Sequence, residues 1–341
     1  MQLSHEILTL RTKHPFVIAR GGSAEYVTVL VKLVDKDGVE GWGEAAPSTY
    51  YAETPQTVVA ALHTYAPVLK GADPFAIEDI EEALVRALHG NPSTRAAISA
   101  ALHDLAGKRL GVPVWKMWGL NRAKAPRSSF TIGITSDAEL RTRIAEAVQY
   151  PILKIKLGTD RDEHVIRVVR EAAPDKVLRV DANAGWTAKR ALKVIPLLAR
   201  LGVEFVEQPV PAGDLRALKF VRDRSPLPII ADESCLVAAD VPRLAGVVDG
   251  VNLKLAKCGS LIESRRVIDV ARANQLRVMC GCMVESSLGI SAAAQFAPLL
   301  DDADLDGGAL LANDPFAGVT IDEGIVRLSD KPGLGVTRRS R

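Results

Sequence analysis

With 341 residues, 48% of them hydrophobic, the chain has enough apolar material for a large core, and its length points to two or more domains. A formal net charge of +2 argues against a nucleic-acid partner. No apolar run approaches the ~20 residues of a membrane span, and the N-terminus lacks the apolar core of an export signal. The four cysteines, Cys235, Cys258, Cys280 and Cys282, have no zinc-ribbon spacing. Cys280 and Cys282, a CxC within a strand-like run, are expected to be buried or pocket-wall thiols and not a metal or redox pair, and a reduced cytoplasmic enzyme is the default.

Residues 1–125 read as an α+β capping domain. The stretch 25–34 (EYVTVLVKLV) is rich in β-formers, DKDG is a turn signal, and VEGWGEA answers as the second strand of a hairpin. Helices are predicted over about 53–69, 75–88 and 92–110, the last with Asn91 as N-cap and Pro92 at its first position. Two polar stretches read as loops: 14–24 (HPFVIARGGSA) and 46–55 (APSTYYAETP), which holds Tyr50 and Tyr51. They are either plain connections or covers over a substrate site.

From residue 128 the texture changes. Apolar runs near 130, 154, 179, 205, 230, 252, 278 and 304 recur about every 25 residues, the length of one strand plus one helix. Such β/α alternation predicts a parallel sheet, and eight units close a TIM-type (β/α) barrel over 126–321, with active groups at the C-terminal strand ends. Asp137 is expected to open the first barrel helix and Asp160 to cap the second; GVNLKLAK is read as the sixth strand and RVMCGCM as the seventh. The eighth centres on 304–306. The tail, 322–341, has no barrel unit to join and is expected to pack back on the cap.

Charged residues fall at the strand ends. Asp181, Glu207 and Asp232 end the third, fourth and fifth strands. Neighbouring strands lie about 5 Å apart, so these groups converge. Taken singly they would be helix caps or surface acids; three in register repel one another, and a hard divalent cation relieves that repulsion. An all-oxygen site suits Mg2+ and also accepts Mn2+. Lys156 ends the second strand and Lys254 the sixth, on opposite sides of an eight-stranded ring. Lys154 shares a face with Lys156 by strand alternation. The bland alternative is a lysine snorkelling from a strand end. A carbon acid α to a carboxylate is too weak for a free lysine, but a cation on its carbonyl oxygens stabilises the enolate. The metal and Lys154 are expected to lower the pKa of Lys156. A base on each face inverts the centre, so racemisation or epimerisation is predicted.

The motifs KIK (154–156), DAN (181–183), EQP (207–209), ADES (231–234) and KLAKCG (254–259) together resemble the enolase superfamily, in its muconate-lactonizing-enzyme subgroup. The resemblance covers nearly the whole chain. It implies an acid/base pair in Lys156 and Lys254, Mg2+ ligands in Asp181, Glu207 and Asp232, and enolate stabilisation by Lys154, a use of lysine and magnesium known from such sites. Asn183 and Glu233 would orient the ligands and a lysine. DLD at 304–306 and the stretch HPFVIARGG resemble dipeptide epimerases of the L-Ala-D/L-Glu epimerase type, in which Asp304 and Asp306 would grip the substrate's α-amine. Otherwise these two acids merely continue the surface run Asp301-Asp302. Several Ala-Glu epimerases place an arginine in the early loop to meet the glutamate side chain. Here Ser23 stands near that place, with Arg20 close by. Tyr50 and Tyr51 favour an apolar or aromatic second residue, and Cys282 and Glu285 are expected to line the pocket.

The resulting expectation is a Mg2+-dependent dipeptide epimerase that inverts the α-carbon of the C-terminal residue by two-base 1,1-proton transfer through an enolate. Its partner would be a small-molecule dipeptide, with no nucleic acid or membrane; a homo-oligomer is left open. Rivals within the resemblance are o-succinylbenzoate synthase, N-acylamino acid racemase and muconate cycloisomerase, whose substrates lack a free ammonium. Rivals outside it are a Schiff-base lyase using one of the lysines and a non-catalytic barrel.

Overall fold

The cap begins with an antiparallel sheet of β1 (Gln2–Ile18), β2 (Gly21–Val34) and β3 (Glu40–Ala45) in the computed structural model, which describes residues 1–340. Residues 14–24 are therefore mostly strand and not loop. Past an irregularity between Arg11 and Phe16, Phe16 pairs with Ser23 and Ile18 with Gly21. The apolar run Phe16-Val17-Ile18 carries β1 onward, so the turn signals govern only the tip, where Gly21 takes a positive φ of 107°. Arg20 thus stands at the end of a long hairpin arm.

Three helices follow, α1 (Pro55–Leu69), α2 (Ile77–Ala87) and α3 (Pro92–Leu110). Asn91 does not cap α3 through its side chain; it adopts a left-handed φ of 49°. Glu53 supplies the cap instead, accepting from Ser93 N at 3.1 Å and Ser93 Oγ at 2.8 Å. The small residues of α3 have a packing reason. A Cβ on Gly43 of β3 would lie 1.9 Å from the Ala97 carbonyl oxygen, so sheet and helix touch backbone to backbone. Val29, Val31, Leu62, Tyr65, Ile98 and Leu102 fill the cap's own core.

The second unit is an eight-stranded parallel sheet of β4 (Phe130–Ile132), β5 (Ile152–Lys156), β6 (Val177–Asp181), β7 (Val203–Glu207), β8 (Ile229–Ala231), β9 (Gly250–Leu253), β10 (Arg277–Cys280) and β11 (Asp302–Ala303). Each strand neighbours the next in chain order. A parallel bridge between Ser128 and Ala303, with Ser129 N donating to Ala303 O at 2.9 Å, joins the last strand to the first. Outer helices such as Asp162–Ala172 and Ala188–Arg200 turn Ile166, Val169, Val194 and Leu198 onto Ile155 and Val180 of the sheet, forming one continuous core. The expected barrel with its cap is what the chain forms.

Three local expectations need correction. β11 is only two residues long, so Asp304 and Asp306 follow the eighth strand and do not form it. β9 ends at Leu253, and Leu255–Cys258 is a helical turn closed by Gly259 at φ 88°. This swings Lys257 out of the strand register assumed for KLAK. Asp162, not Asp160, closes the loop before its helix, accepting from Gly158 N and Thr159 N at 3.0 and 2.9 Å.

The barrel interior is layered. At the N-terminal strand ends Arg179 and Arg277 pair with Glu204 and Asp302. Above them Phe205, Ile230 and Met279 form a thin apolar floor, and above that stand the lysines and acids of the mouth. In the tail, Leu334 N donates to Asp104 of α3 at 2.8 Å, and Arg338 pairs with Glu6 of β1 at 2.6 Å. Among the described residues no helix is long and apolar enough to cross a membrane.

Candidate active site

Strand register assembles the acids. Lys156 lies beside Asp181, and Asp181 beside Glu207, across β5–β6–β7, while Asp232 follows β8 directly. Asp181, Glu207 and Asp232 each offer an oxygen within 4.8 Å of the others, and all three are buried. The chain then turns sharply. Asn183 and Gln208, just past the first two acids, hold left-handed φ values of 45° and 33°, strain of the kind that concentrates at functional sites.

The surroundings fix each acid in one pose. Asp181 Oδ1 accepts from Asn183 N at 2.7 Å, and its Oδ2 from Lys156 Nζ at 2.7 Å and Asn183 Nδ2 at 3.0 Å. Glu207 Oε1 accepts from Asn252 Nδ2 at 2.7 Å. Its Oε2 lies 2.7 Å from Lys154 Nζ but makes no hydrogen bond of acceptable geometry. Asp232 Oδ2 accepts from Lys254 at 2.8 Å, and its Oδ1 from Lys257.

These acids do not share the available positive charge evenly. Burial raises Glu207, and the neighbouring Asp181 adds to it, bringing that carboxyl to about 7. Asp232 goes the other way: Lys254 and Lys257 outweigh its burial and hold it far below the usual range. An incompletely satisfied carboxylate between two others, all of oxygen and free of solvent, fits a hard divalent cation. Asp181, Glu207 and Asp232 are the residues that would hold it.

Lys154 is buried at 1% exposure and reaches Asp304 Oδ2, just past the last strand, at 2.7 Å. Burial would lower its pKa, but Asp304, Glu207 and Asp181 together hold it well above the ordinary lysine value. Lys254 is likewise raised: burial opposes the charge and Asp232 more than restores it. Asp304 Oδ1 also accepts from Ser129 Oγ at 2.6 Å and Thr131 Oγ1 at 3.1 Å, and Asp306 accepts from Thr131 N. The two acids diverge in character. Despite burial, Lys154 and Lys156 draw Asp304 down to about 2, whereas burial and Asp304 push Asp306 up to about 7.

A cavity of about 490 Å³ opens above this layer, within the range of small-molecule sites. Lys154, Lys156, Lys254, Asn183, Asp304 and Asp306 line its floor. The hairpin tip and the 46–55 loop roof it with Arg20, Ser23, Tyr50 and Tyr51, and Cys282 forms part of the wall. Arg20 NH1 lies 2.8 Å from Glu233 Oε1 and donates to Asn183 O at 2.6 Å; the guanidinium sits 4.2 Å above the Tyr50 ring. Glu285 is not in the lining. Its Oε1 turns back to accept from Met283 N at 2.8 Å, within the irregular segment that follows the end of β10 at Cys280. Burial and Glu44 raise this carboxyl to about 8.

Several participants escaped the sequence reading. Asn252 sits two residues before Lys254, so strand alternation alone points it inward. Lys257 donates to Asp232 O at 2.6 Å, Asn252 O at 2.9 Å and Cys235 O at 3.1 Å, contacts that depend on the helical turn. Gln208 staples β7 to the segment after β8, accepting from Asp232 N at 2.9 Å and Ser234 N at 3.1 Å.

Known proteins share this architecture. Residues 4–119 match the mandelate racemase / muconate lactonizing enzyme N-terminal domain, and residues 137–341 match the enolase C-terminal domain-like family. An L-Ala-D/L-Glu epimerase of Bacteroides thetaiotaomicron is 40% identical over 331 residues, covering 96% of this chain and 86% of that protein. An L-Ala-D/L-amino acid epimerase of a Maribacter species is 39% identical over 340 residues, 99% of each. Among solved structures, the dipeptide epimerase of Enterococcus faecalis V583, complexed with Mg and the dipeptide L-Leu-L-Tyr, superimposes with a TM-score of 0.94 at 32% identity, covering 99% of both chains. Domain order, barrel and sequence agree over the whole length, and the chain belongs to the enolase superfamily, in its mandelate racemase / muconate lactonizing enzyme branch.

Proposed function

We propose that the protein is a Mg2+-dependent dipeptide epimerase, an isomerase that inverts the α-carbon of a dipeptide's C-terminal residue by two-base 1,1-proton transfer. The observation that carries this reading is the opposed placement of two amines. Lys156, at the end of β5, pairs with Asp181 at 2.7 Å, and Lys254, just past β9 four strands away, pairs with Asp232 at 2.8 Å. A substrate carboxylate over the acid trio would present one face of its α-carbon to each. Mg2+, when bound, supplies the positive charge that brings the α-proton within reach of an amine. One lysine takes that proton and the other delivers its own to the opposite face. Lys154, charged and set in the floor, adds a fixed positive charge where the enolate oxygens would develop theirs. Asp304 and Asp306 accept hydrogen bonds from the α-ammonium and set the register of the peptide. An ammonium site of this kind favours dipeptides over the acylamino, succinylbenzoate and muconate substrates of the rival reactions. Asn183 holds Asp181, and Glu233 holds Arg20 over the mouth; the arm and the 46–55 loop exclude water.

The same reading divides the chain into a substrate-selecting cap over 1–125, a catalytic barrel over 126–321 and a tail over 322–341 that packs back on the cap, as the Leu334–Asp104 bond supports. Four unpaired cysteines support a reducing, cytoplasmic setting.

The test is incubation of L,L-dipeptides in deuterated water with mass-spectrometric readout. The expected result is accumulation of an L,D diastereomer carrying one deuterium at Cα, abolished by EDTA and restored by Mg2+. Absence of exchange from every dipeptide would refute the proposal, as would borohydride trapping of a lysine adduct with indifference to EDTA.

A further inference from the structure

The relatives include epimerases named for glutamyl and for general amino-acid substrates, so the family alone leaves the second side chain open. The charges of the cavity narrow it. Resting on the epimerase reading, we infer that the residue inverted by this protein carries an uncharged, apolar or aromatic side chain, not the carboxylate of glutamate.

Every cation lining the cavity, among the described residues, already faces a carboxylate: Lys154 lies 2.7 Å from Glu207 and Asp304, Lys156 2.7 Å from Asp181, Lys254 2.8 Å from Asp232, and Arg20 2.8 Å from Glu233. The lysines belong to the floor, where the reacting carbon lies. Of the described cations only Arg20 stands in the roof, where the second side chain must go once the ammonium and α-carboxylate are placed below. Arg20 is committed there. Its charge is offset by Glu233, whose side chain is 1% exposed, one of its nitrogens also donates to Asn183 O at 2.6 Å, and its face is covered by the Tyr50 ring. Recruiting it to a glutamyl carboxylate would strip a buried acid of its cation. An incoming carboxylate would instead meet a neutralised pair, with Asp232 close behind it.

The rest of the roof and upper wall is uncharged: Ile18, Tyr26, Pro47, Tyr50, Tyr51 and Val284 are apolar or aromatic, and Ser23, Thr28, Ser48 and Thr49 bring only hydroxyls. The Tyr50 and Tyr51 rings meet edge to face at 4.9 Å. Burial raises both phenols above their ordinary range, so they stay neutral and add no charge to this half of the cavity. No uncommitted acid lines this half, so a lysyl side chain finds no partner either.

The experiment compares kcat/KM for L-Ala-L-Leu, L-Ala-L-Phe, L-Ala-L-Glu and L-Ala-L-Lys by deuterium uptake in the Mg2+-loaded protein. Leu and Phe are expected to exceed Glu and Lys by about tenfold or more, as for a pocket that cannot solvate a charge. Ser23→Arg places an unpaired cation on the lining and should raise the Glu rate relative to Leu, while Tyr50→Ala should lower Phe more than Leu. Glu equal to or faster than Leu in the unmodified protein overturns the inference while leaving epimerisation intact. Absence of exchange with all four substrates removes the epimerase reading beneath it.

Discussion

Lys257 offers the sharpest single test of how the acid cluster is held. Its side chain is wholly buried, and its ammonium bonds Asp232 through both a carboxylate oxygen and the backbone carbonyl, then Asn252 O and Cys235 O. Lys257→Met keeps the stem and removes the charge. One oxygen of Asp232 and three buried carbonyls then lose a donor. Breaking a buried ion pair costs about 3–5 kcal/mol, and Lys254 on the other oxygen of Asp232 softens the loss, so about 4 kcal/mol is expected. At about 2–4 °C per kcal/mol for a unit of this size, the melting temperature should fall by about 8–16 °C. Metal affinity is the decisive readout, because a structural role alone would not move it. Asp232, freed on one side, can rotate toward Lys254, and loss of an outer partner of a ligand typically costs about 10–100-fold in affinity. Mn2+ titration by electron paramagnetic resonance, well below the variant's melting point, measures this directly. A lowered melting temperature with unchanged Mn2+ affinity would show that Lys257 holds the fold but does not pose Asp232.

Other substitutions probe other levels. Lys156→Ala and Lys254→Ala should each lower turnover by about 10²–10⁴-fold, with α-proton exchange surviving from opposite diastereomers; loss from the same diastereomer in both would defeat the opposed arrangement. Gly43→Ala drives a methyl into the Ala97 carbonyl and should cost about 3 kcal/mol, the upper end for overpacking, read by thermal melting; an unchanged melt would mean the sheet–helix contact is slack. Glu285 has a folded-state pKa raised to about 8 by burial and Glu44. Its contribution is therefore complete below the unfolded value of about 4.3 and lost as pH rises through about 8. Glu285→Gln should flatten the decline of melting temperature between pH 5 and 8, and parallel curves for both proteins would contradict it.

The barrel was legible because its signal is repeated: eight apolar runs at one period, most followed by a charged residue, leave few other folds. The acids and lysines were legible for the same reason, since each sits where an apolar strand stops. What stayed hidden depends on backbone geometry that residue type does not encode. Phe16 to Ile18 extend β1 past a stretch rich in turn residues because β2 is there to pair with them. Glu53 caps α3 from 40 residues away, a contact that the adjacent Asn91 signal obscured. Lys257 looked like a strand residue because KLAK alternates, but Gly259 permits a left-handed stop and a helical turn before it. Glu285 shared a segment with Cys282, and only the bend after β10 separates wall from interior.

The mouth of the barrel sets Arg20, Lys154, Lys156, Lys254 and Lys257 against Asp181, Glu207, Asp232, Glu233, Asp304 and Asp306. Burying so many charges is no route to stability, since well-packed apolar residues often do as well or better. The imbalance is the informative part. The acids exceed the cations, and the shortfall is felt most at Glu207 and Asp306, whose carboxyls rise to about 7 while Asp304, close to Lys154, falls to about 2. Glu207 lies within the acid trio and Asp306 on the far rim beside Asp304. The field of the site is therefore complementary to two positive charges, one at each edge of the floor, with the opposed lysines between them. A divalent cation answers the first and a peptide ammonium the second. Each would displace a proton as it binds, so affinity for both should strengthen as pH rises through about 7. On the proposed reading, these two charges would anchor a dipeptide across the floor and leave its α-carbon over the centre, with Lys156 on one side and Lys254 on the other.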